Sequence, residues 1–236
     1  HGPTIAAASD LKFALEAIAA LHADRGGGRV RLVFGSSGQL AAQIAQGAPF
    51  ELFLSADEAF VDRLVASGHA RDRGELYALG RIVLFAAHRS PVAVDPGMDG
   101  LAAALDAGGI RRFAIANPEH APYGRAAREI LQRLGLWERI KPRLVLGENA
   151  AQAMQFAAGG GAQGGIVPYS LAQASEAQVR AVLEEQARAR AQREVGSDQV
   201  GVAGEAEPFV LPSPVAGDDG VDFVDRKLRH QYAGHH

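Results

Sequence analysis

The segment Phe34-Gly35-Ser36-Ser37-Gly38 constrains the fold of this chain most strongly. It follows the apolar run Val30–Val33 and precedes a pattern of apolar residues at helical spacing that begins with Leu40. This order predicts a strand, a tight turn and a helix. Because the first N–H groups of a helix lack intrahelical partners, the turn with the Ser36 and Ser37 hydroxyls is a candidate anion site. The same residues also suit an ordinary helix start with Ser37 as the N-cap.

The strand–turn–helix order occurs four times, at Ser9, Ser37, Tyr123 and Ala150. At the first of these turns, Ser9 or Asp10 is the expected N-cap of the following helix. Strands that alternate with helices predict parallel βαβ units, and ligands of such folds bind beyond the carboxyl ends of the strands. Two lobes that face each other across a cleft would direct all four turns at one point. The alternative is that the four turns never meet.

The composition excludes several classes of function. A net charge of −3 provides no basic surface for nucleic acid, and the absence of cysteine excludes thiolate metal sites and thiol nucleophiles. No apolar stretch approaches the ~20 residues that a membrane span requires. The chain begins at His1 and no apolar leader precedes it, which removal of a leader or trimming of a longer chain would explain. No Gly-x-Ser-x-Gly motif or metal-ligand spacing indicates an enzyme.

Residues 4 to about 170 carry a series of short segments whose order and spacing are shared with a known family. They are Ala6-Ala7-Ala8-Ser9, Phe34–Gly38, Gln43–Pro49, Phe53–Glu58, Asn117–Gly124, Gly147–Asn149 and Gly165–Val167. In this combination the chain resembles the periplasmic molybdate-binding proteins of ABC transporters. The resemblance implies a two-lobed α/β fold of the type II periplasmic-binding class. Each lobe is then a mainly parallel sheet flanked by helices, and the ligand cleft lies between the lobes.

The resemblance also implies the domain organisation. Lobe one is expected over residues 1–81, together with part of the C-terminal segment that returns to it, and lobe two over residues 82–175. The resemblance ends at about residue 170, and residues 176–236 are expected to form an atypical C-terminal segment. Residues 182–190 are rich in helix-forming Glu, Gln, Ala and Arg, whereas the stretch after Gly196 indicates loop or disorder.

The family's binding residues are carried over by position. Ser9 and Ser37 would donate from hydroxyl and backbone, Asp10 from its N–H alone, and Tyr123 and Ala150 from their backbone N–H groups. Ser36 lies beside this set. For the phenol that many relatives place on the oxyanion, we favour Tyr123 over Tyr169. The molybdenum would be held through its oxygens, with no direct bond from protein to metal and no cofactor.

A fully deprotonated tetrahedral oxyanion offers only acceptors, so its site needs donors, which hydroxyls and backbone N–H groups supply. A site for a monoprotonated anion such as phosphate would also want a carboxylate acceptor. Asp10 is the one candidate, and we expect it instead to cap its helix and face away from the cleft. Glu148 and Asn149 are expected to cap the helix at Ala150, and His120 to shape the turn before Tyr123.

The sequence therefore predicts a monomeric periplasmic protein that binds molybdate or tungstate and delivers it to the membrane permease of an ABC importer. It predicts no catalysis, no nucleic-acid partner and no membrane span. Three alternatives stay open. They are first a ligand-sensing regulatory domain of the same fold, second an enzyme on the same scaffold, which would need a base or a metal ion in the cleft, and third a remnant that no longer binds. A binding protein for sulfate or another tetrahedral oxyanion is the alternative within the same class.

Overall fold

The computed structural model describes residues 2–86, 89–95, 97–174 and 211–212. They form an α/β structure with two separate sheets. None of the helices in these ranges is long and apolar enough to cross a membrane.

The first sheet contains three parallel strands in the order β2-β1-β3. Ala8 lies opposite Gly35 in the register, so β1 and β2 end level and the residues that follow them start at the same edge. A 3-10 turn, Ser9–Leu11, leads from β1 into α1. The strands and helices are β1 (Thr4–Ala8), α1 (Lys12–Asp24), β2 (Arg31–Gly35), α2 (Ser37–Ala45), β3 (Leu52–Leu54) and α3 (Glu58–Ala66).

The second sheet contains five strands in the order β6-β5-β7-β4-β8. β5 is parallel to both β6 and β7, whereas β4 is antiparallel to β7 and β8. The chain enters β4 directly from the first sheet. Because β4 is antiparallel to its neighbours, it needs no crossover helix within the second sheet. The elements are β4 (Arg81–Ala86), α4 (Asp99–Asp106), β5 (Phe113–Ala116), α5 (Pro122–Arg133), α6 (Trp137–Ile140), β6 (Leu144–Gly147), α7 (Ala150–Ala158), β7 (Gly164–Pro168), α8 (Tyr169–Ala174) and β8 (Leu211–Pro212).

These two sheets confirm the predicted fold class, an α/β architecture with parallel strands flanked by helices. The prediction of loop or disorder after Gly196 is wrong at Leu211–Pro212, because these residues pair with Arg81 and Ile82 as an edge strand. The predicted helix over residues 182–190 lies outside the described residues. The lobe boundaries near residues 81 and 175 stay predictions.

Most of the buried core lies around the second sheet. Its continuous apolar strands bury Phe85, Phe113 and Ile115 completely, as expected for strands covered on both faces. The core beside the first sheet is smaller and centres on Phe60 and Leu64. α1 buries none of its side chains among the described residues.

Three helices begin with a side chain that accepts a backbone N–H. Ser36 caps α2, Asp57 caps α3 and Asn149 caps α7. The predicted cap at Asn149 is confirmed, but Ser37 is not the cap of α2. Neither Ser9 nor Asp10 caps α1, because both lie inside the 3-10 turn that precedes it.

Replacing Asn149 with alanine is expected to lower the free energy of unfolding by about 1 kcal/mol. The Asn149 side chain accepts the Gln152 N–H at 3.0 Å, and alanine leaves that donor without this acceptor. Urea unfolding measures the loss. Gln155→Ala, at an exposed position of the same helix, is the matched control. Equal stability of the two variants would contradict the assigned cap.

Candidate anion-binding site

A cavity lies where the carboxyl ends of β1 and β2 face the N-termini of α5 and α7. About 180 Å³ of space not filled by protein atoms lies here, a volume that includes the open solvent at its mouth. Its lining residues are Ala8, Ser9, Asp10, Gly35, Ser36, Ser37, Ala56, Ala121, Pro122, Tyr123 and Ala150. The four predicted turns therefore meet, and six of the seven candidate residues line one cavity. The seventh, Tyr169, begins α8 and is not among the lining residues.

Two serine hydroxyls at the cavity are oriented by backbone N–H groups. Ser9 Oγ accepts the N–H of Ala151 at 3.1 Å, and Ser37 Oγ accepts the N–H of Ala56 at 3.0 Å. A hydroxyl that accepts one bond still has its own proton to donate. Both serines are almost fully buried, and neither hydroxyl has an acceptor among the described residues. The two hydroxyl protons are therefore available to a bound acceptor.

Three backbone N–H groups add to these hydroxyls. Ser37, Tyr123 and Ala150 are the first or second residues of their helices, where no intrahelical acceptor exists. The N–H groups that follow them are engaged; for example, Gly38 donates to the His120 carbonyl and Gly124 to the Ala121 carbonyl. Within the described part of the chain, the N–H groups of Ser37, Tyr123 and Ala150 have no acceptor. Three helix N-termini thus present free donors and positive dipole ends to one cavity.

Tyr123 brings a phenol to the same place. Its hydroxyl donates to Asp10 Oδ2 at 2.7 Å, across 113 residues of sequence, and both residues are buried. Burial and the neighbouring Asp10 carboxylate raise the pKa of Tyr123 well above 10, so the phenol stays protonated. It is therefore a neutral donor throughout the physiological pH range.

Asp10 differs from its predicted role. Its side chain lines the cavity and accepts a hydrogen bond from Tyr123, so the prediction that it caps a helix and faces away is wrong. The reason is that Asp10 lies inside the 3-10 turn, so Leu11 and not Asp10 occupies the N-cap position of α1. Burial raises the pKa of Asp10 from 3.8 to about 6. The cavity therefore contains one carboxyl group in addition to the predicted hydroxyl and N–H donors.

Polar contacts outside the cavity hold the two sheets together at the same edge. The Gly38 N–H donates to the His120 carbonyl at 3.0 Å, and Ser36 Oγ lies 2.9 Å from His120 Nδ1. Gln39 Nε2 donates to Glu148 at 2.8 Å. His120, in the turn before α5, thus contacts the start of α2.

Replacing Gly38 with alanine is expected to weaken ligand binding at least tenfold. A Cβ at this position would lie 2.5 Å from the His120 carbonyl oxygen, and two backbones in contact cannot relieve the clash by rotating a side chain. The hydrogen bond from the Gly38 N–H to the His120 carbonyl, which joins α2 to the turn before α5, would be lost. Gly28→Ala is the control, because nothing lies within 4 Å of a Cβ there. Equal affinities of the two variants, measured by calorimetry, would show that this contact is not needed for binding.

Three residues with roles at the site were not predicted. Ala56 donates its N–H to Ser37, and Ser170 Oγ donates to the Asp10 carbonyl at 3.0 Å. Gly80 provides room for the phenol, since a Cβ there would lie 2.5 Å from the Tyr123 hydroxyl. A glycine directly before a buried strand was the one available sequence signal. Ala56 lies in the Phe53–Glu58 segment on which the resemblance rests, but neither it nor Ser170 was given a role, because their roles depend on long-range packing.

No group of three or more histidine, cysteine, aspartate or glutamate residues within the described ranges is placed to hold a metal ion. The groups that converge on the cavity are hydroxyls, backbone N–H groups and one carboxyl. Such a donor set suits the oxygens of an anion.

Comparisons with known proteins identify the family of this chain. A family model described as bacterial extracellular solute-binding protein matches residues 3–191. The molybdate-binding protein ModA of Rhodobacter capsulatus is 42% identical over 171 residues, which cover 72% of this chain and 65% of that protein. ModA of Azotobacter vinelandii is 38% identical over 70% of this chain and 64% of its own length. The matched region thus spans somewhat less than two thirds of these two relatives.

Solved structures extend the comparison. The periplasmic molybdate-binding protein of Azotobacter vinelandii superposes with a TM-score of 0.64 and 34% identity, covering 70% of this chain and 71% of that chain. The sulfate-binding protein SubI of Mycobacterium tuberculosis superposes with a TM-score of 0.58 but only 18% identity over 75% of this chain and 68% of its own, and so shows the fold alone. The chain therefore belongs to the bacterial extracellular solute-binding proteins, in the group that contains the periplasmic molybdate-binding proteins.

Proposed function

We propose that this chain binds molybdate or tungstate in the cavity between its two sheets. The observation that carries the proposal is the convergence of two free hydroxyl protons and three free backbone N–H groups, all buried, on one small cavity. Its relatives named for molybdate binding support the choice of ligand. Every protein contact would reach an oxygen of the anion, and none would reach the metal.

The binding mode follows from the donors. Ser9 and Ser37 donate their hydroxyl protons, while the N–H groups of Ser37, Tyr123 and Ala150 approach from three helix N-termini. Hydrogen bonds to an ionised acceptor are shorter and stronger than neutral ones, and buried donors form them without reorganising water. Because these donors come from both sheets, the anion would hold the two sheets together.

The remaining parts of the proposal concern the protein's setting. The chain acts in the periplasm as a monomer and passes its ligand to the membrane permease of an ABC importer. Binding needs no cofactor and makes or breaks no covalent bond. Membership of a solute-binding family supports this transport role over catalysis.

Sulfate is the main competing ligand, because it presents the same four acceptor oxygens on a smaller sphere. A ligand-sensing regulatory domain of the same fold would bind the same anion at the same site. It would differ from a transport protein only in the partner that it contacts. No contact of the described cavity favours either of these two, whereas the Asp10 carboxyl would suit a monoprotonated anion such as phosphate, which the titration therefore includes.

Calorimetric titration of the purified chain with molybdate, tungstate, sulfate and phosphate tests the proposal. We expect tight binding of molybdate and tungstate and none of sulfate. Trp137, which packs against the core of the second sheet, provides a parallel fluorescence readout. Binding of sulfate alone would overturn the ligand and retain the site. If none of the four anions gave a heat of binding with a chain shown to be folded by circular dichroism, the proposed function would be overturned.

A further inference from the structure

Asp10 is the one acidic side chain among the described residues that line the cavity, and half of its carboxyl group is unused. Oδ2 accepts the Tyr123 hydroxyl, whereas Oδ1 is buried and has no hydrogen-bond partner within the described part of the chain. Buried polar atoms are nearly always paired, so an unpaired carboxyl oxygen beside a ligand cavity needs an explanation. The backbone around Asp10 is fixed as well, since Ser170 donates to its carbonyl.

No cation of the described residues neutralises this carboxyl group. The titratable groups that face it from neighbouring elements are Tyr123 on α5 and Tyr77 in the segment before β4, both neutral phenols whose pKa is raised by burial and by Asp10 itself. Tyr169 begins α8, and Lys12 begins α1 directly after the turn. α7, which also packs against the turn, carries no titratable side chain.

The nearby charged residues are already engaged elsewhere. Arg125 on α5 forms an ion pair with Asp57, and Glu148 accepts a hydrogen bond from Gln39. The His120 ring contacts Ser36 through Nδ1 and lies beside Glu148 with its Nε2. An ionised Asp10 would therefore meet a bound dianion in a poorly solvated cavity with no counter-ion, where like charges repel strongly.

We propose that Asp10 binds the oxyanion as a neutral carboxylic acid, with Oδ1 donating to the anion a proton that is taken from solvent when the ligand enters. This inference rests on the proposed function and specifies its chemistry. One dianion and one proton enter the cavity together. The net charge of the cavity therefore changes by −1 on binding. The proton both removes the repulsion and turns the unpaired Oδ1 into a sixth donor.

The pH dependence follows by linkage. Since burial raises the pKa of Asp10 to about 6, the free protein holds this proton below that pH and must acquire it above. Affinity for a fully deprotonated anion should then be constant below pH 6 and fall about tenfold for each pH unit above it. At pH 8 only about one molecule in a hundred has the proton in place, so binding should be ~100-fold weaker than at pH 5.5.

The test is calorimetric titration with sodium molybdate between pH 5.5 and 8.5, in buffers of different ionisation enthalpy, for the wild type and for Asp10→Asn. We expect the wild type to take up close to one proton at pH 8 and to show the falling affinity. The side-chain amide of Asp10→Asn would donate without a proton from solvent, so this variant should show a flat profile and no uptake. Asp24→Asn, at the exposed end of α1, is the matched control and should behave as the wild type.

A second variant guards against a merely structural effect of the amide. In Tyr123→Phe the carboxylate loses the hydrogen bond that lowers its pKa, so the pH at which affinity begins to fall should move upward. Molybdate binding by the wild type without proton uptake and without a slope would overturn the role of Asp10 while leaving the proposed function intact. Absence of molybdate binding to the folded wild type and to Asp10→Asn at every pH would instead overturn the proposed function.

Discussion

Replacing both Ser9 and Ser37 with alanine is expected to weaken molybdate binding by about 10²- to 10⁴-fold. A hydrogen bond to a charged group contributes about 1.5–3 kcal/mol, and each tenfold change in affinity corresponds to about 1.4 kcal/mol. Alanine also removes the acceptors of the Ala151 and Ala56 N–H groups, which hold the two hydroxyls in place. The loss should therefore lie toward the upper part of this range.

Calorimetry at pH 6 measures this loss directly. Ser67→Ala is the matched control, because Ser67 bonds to carbonyls at the end of α3 and to the neighbouring His69 ring, and lies outside the cavity. It should bind as the wild type does. An affinity within threefold of the wild type for the double variant would mean that the hydroxyls do not contact the ligand.

The sequence contained enough information to predict where the site is. The turns at Ser9, Ser37, Tyr123 and Ala150 were identified from strand–turn–helix order alone, and the register explains why they meet. Ala8 ends level with Gly35 in one sheet, and parallel strands bring such ends to a common edge. The convergence across the two sheets followed from the family resemblance, since no local pattern specifies how distant strands face one another.

The sequence did not predict which side chain does what within each turn. Ser36 and Ser37 are adjacent and chemically alike, so spacing alone did not show that the first caps α2 and the second faces the cavity. The orientation of the Asp10 side chain could not be predicted either, because it depends on a 3-10 turn and on a phenol 113 residues away. Capping propensity gave the opposite and mistaken expectation.

The C-terminal region shows a different limit. Gly, Asp and Pro dominate after Gly196, and composition of this kind favours loop or disorder. Leu211–Pro212 nevertheless pair with β4, because an exposed strand edge can accept a short extended segment with little local propensity. Such pairing is determined by the edge that is available and not by the segment itself.

Without any ligand, Asp10→Asn is expected to raise the free energy of unfolding at pH 8 by up to about 3 kcal/mol and to have a much smaller effect near pH 4. The Asp10 pKa is 3.8 for the ordinary group and about 6 in the folded protein. A difference of about two pKa units corresponds to about 3 kcal/mol. The folded state binds the proton more tightly than the unfolded state, so stability is greatest below pH 3.8 and declines as the pH rises through 6. Asparagine cannot ionise, and the variant should lack this decline.

Urea unfolding of the two proteins at pH 4.5 and pH 8 measures the difference, with Asp24→Asn as the exposed control that should track the wild type at both pH values. A difference that does not grow with pH would show that Asp10 is ionised in the folded state at little cost, and the carboxyl would then be solvated or paired. A growing difference would mean that the chain retains a carboxyl that destabilises its empty form. Proteins accept such costs mainly at functional sites, where the same group contributes when the ligand is bound. A stability measurement without molybdate thus tests independently whether the buried carboxyl of Asp10 is poised to take up a proton.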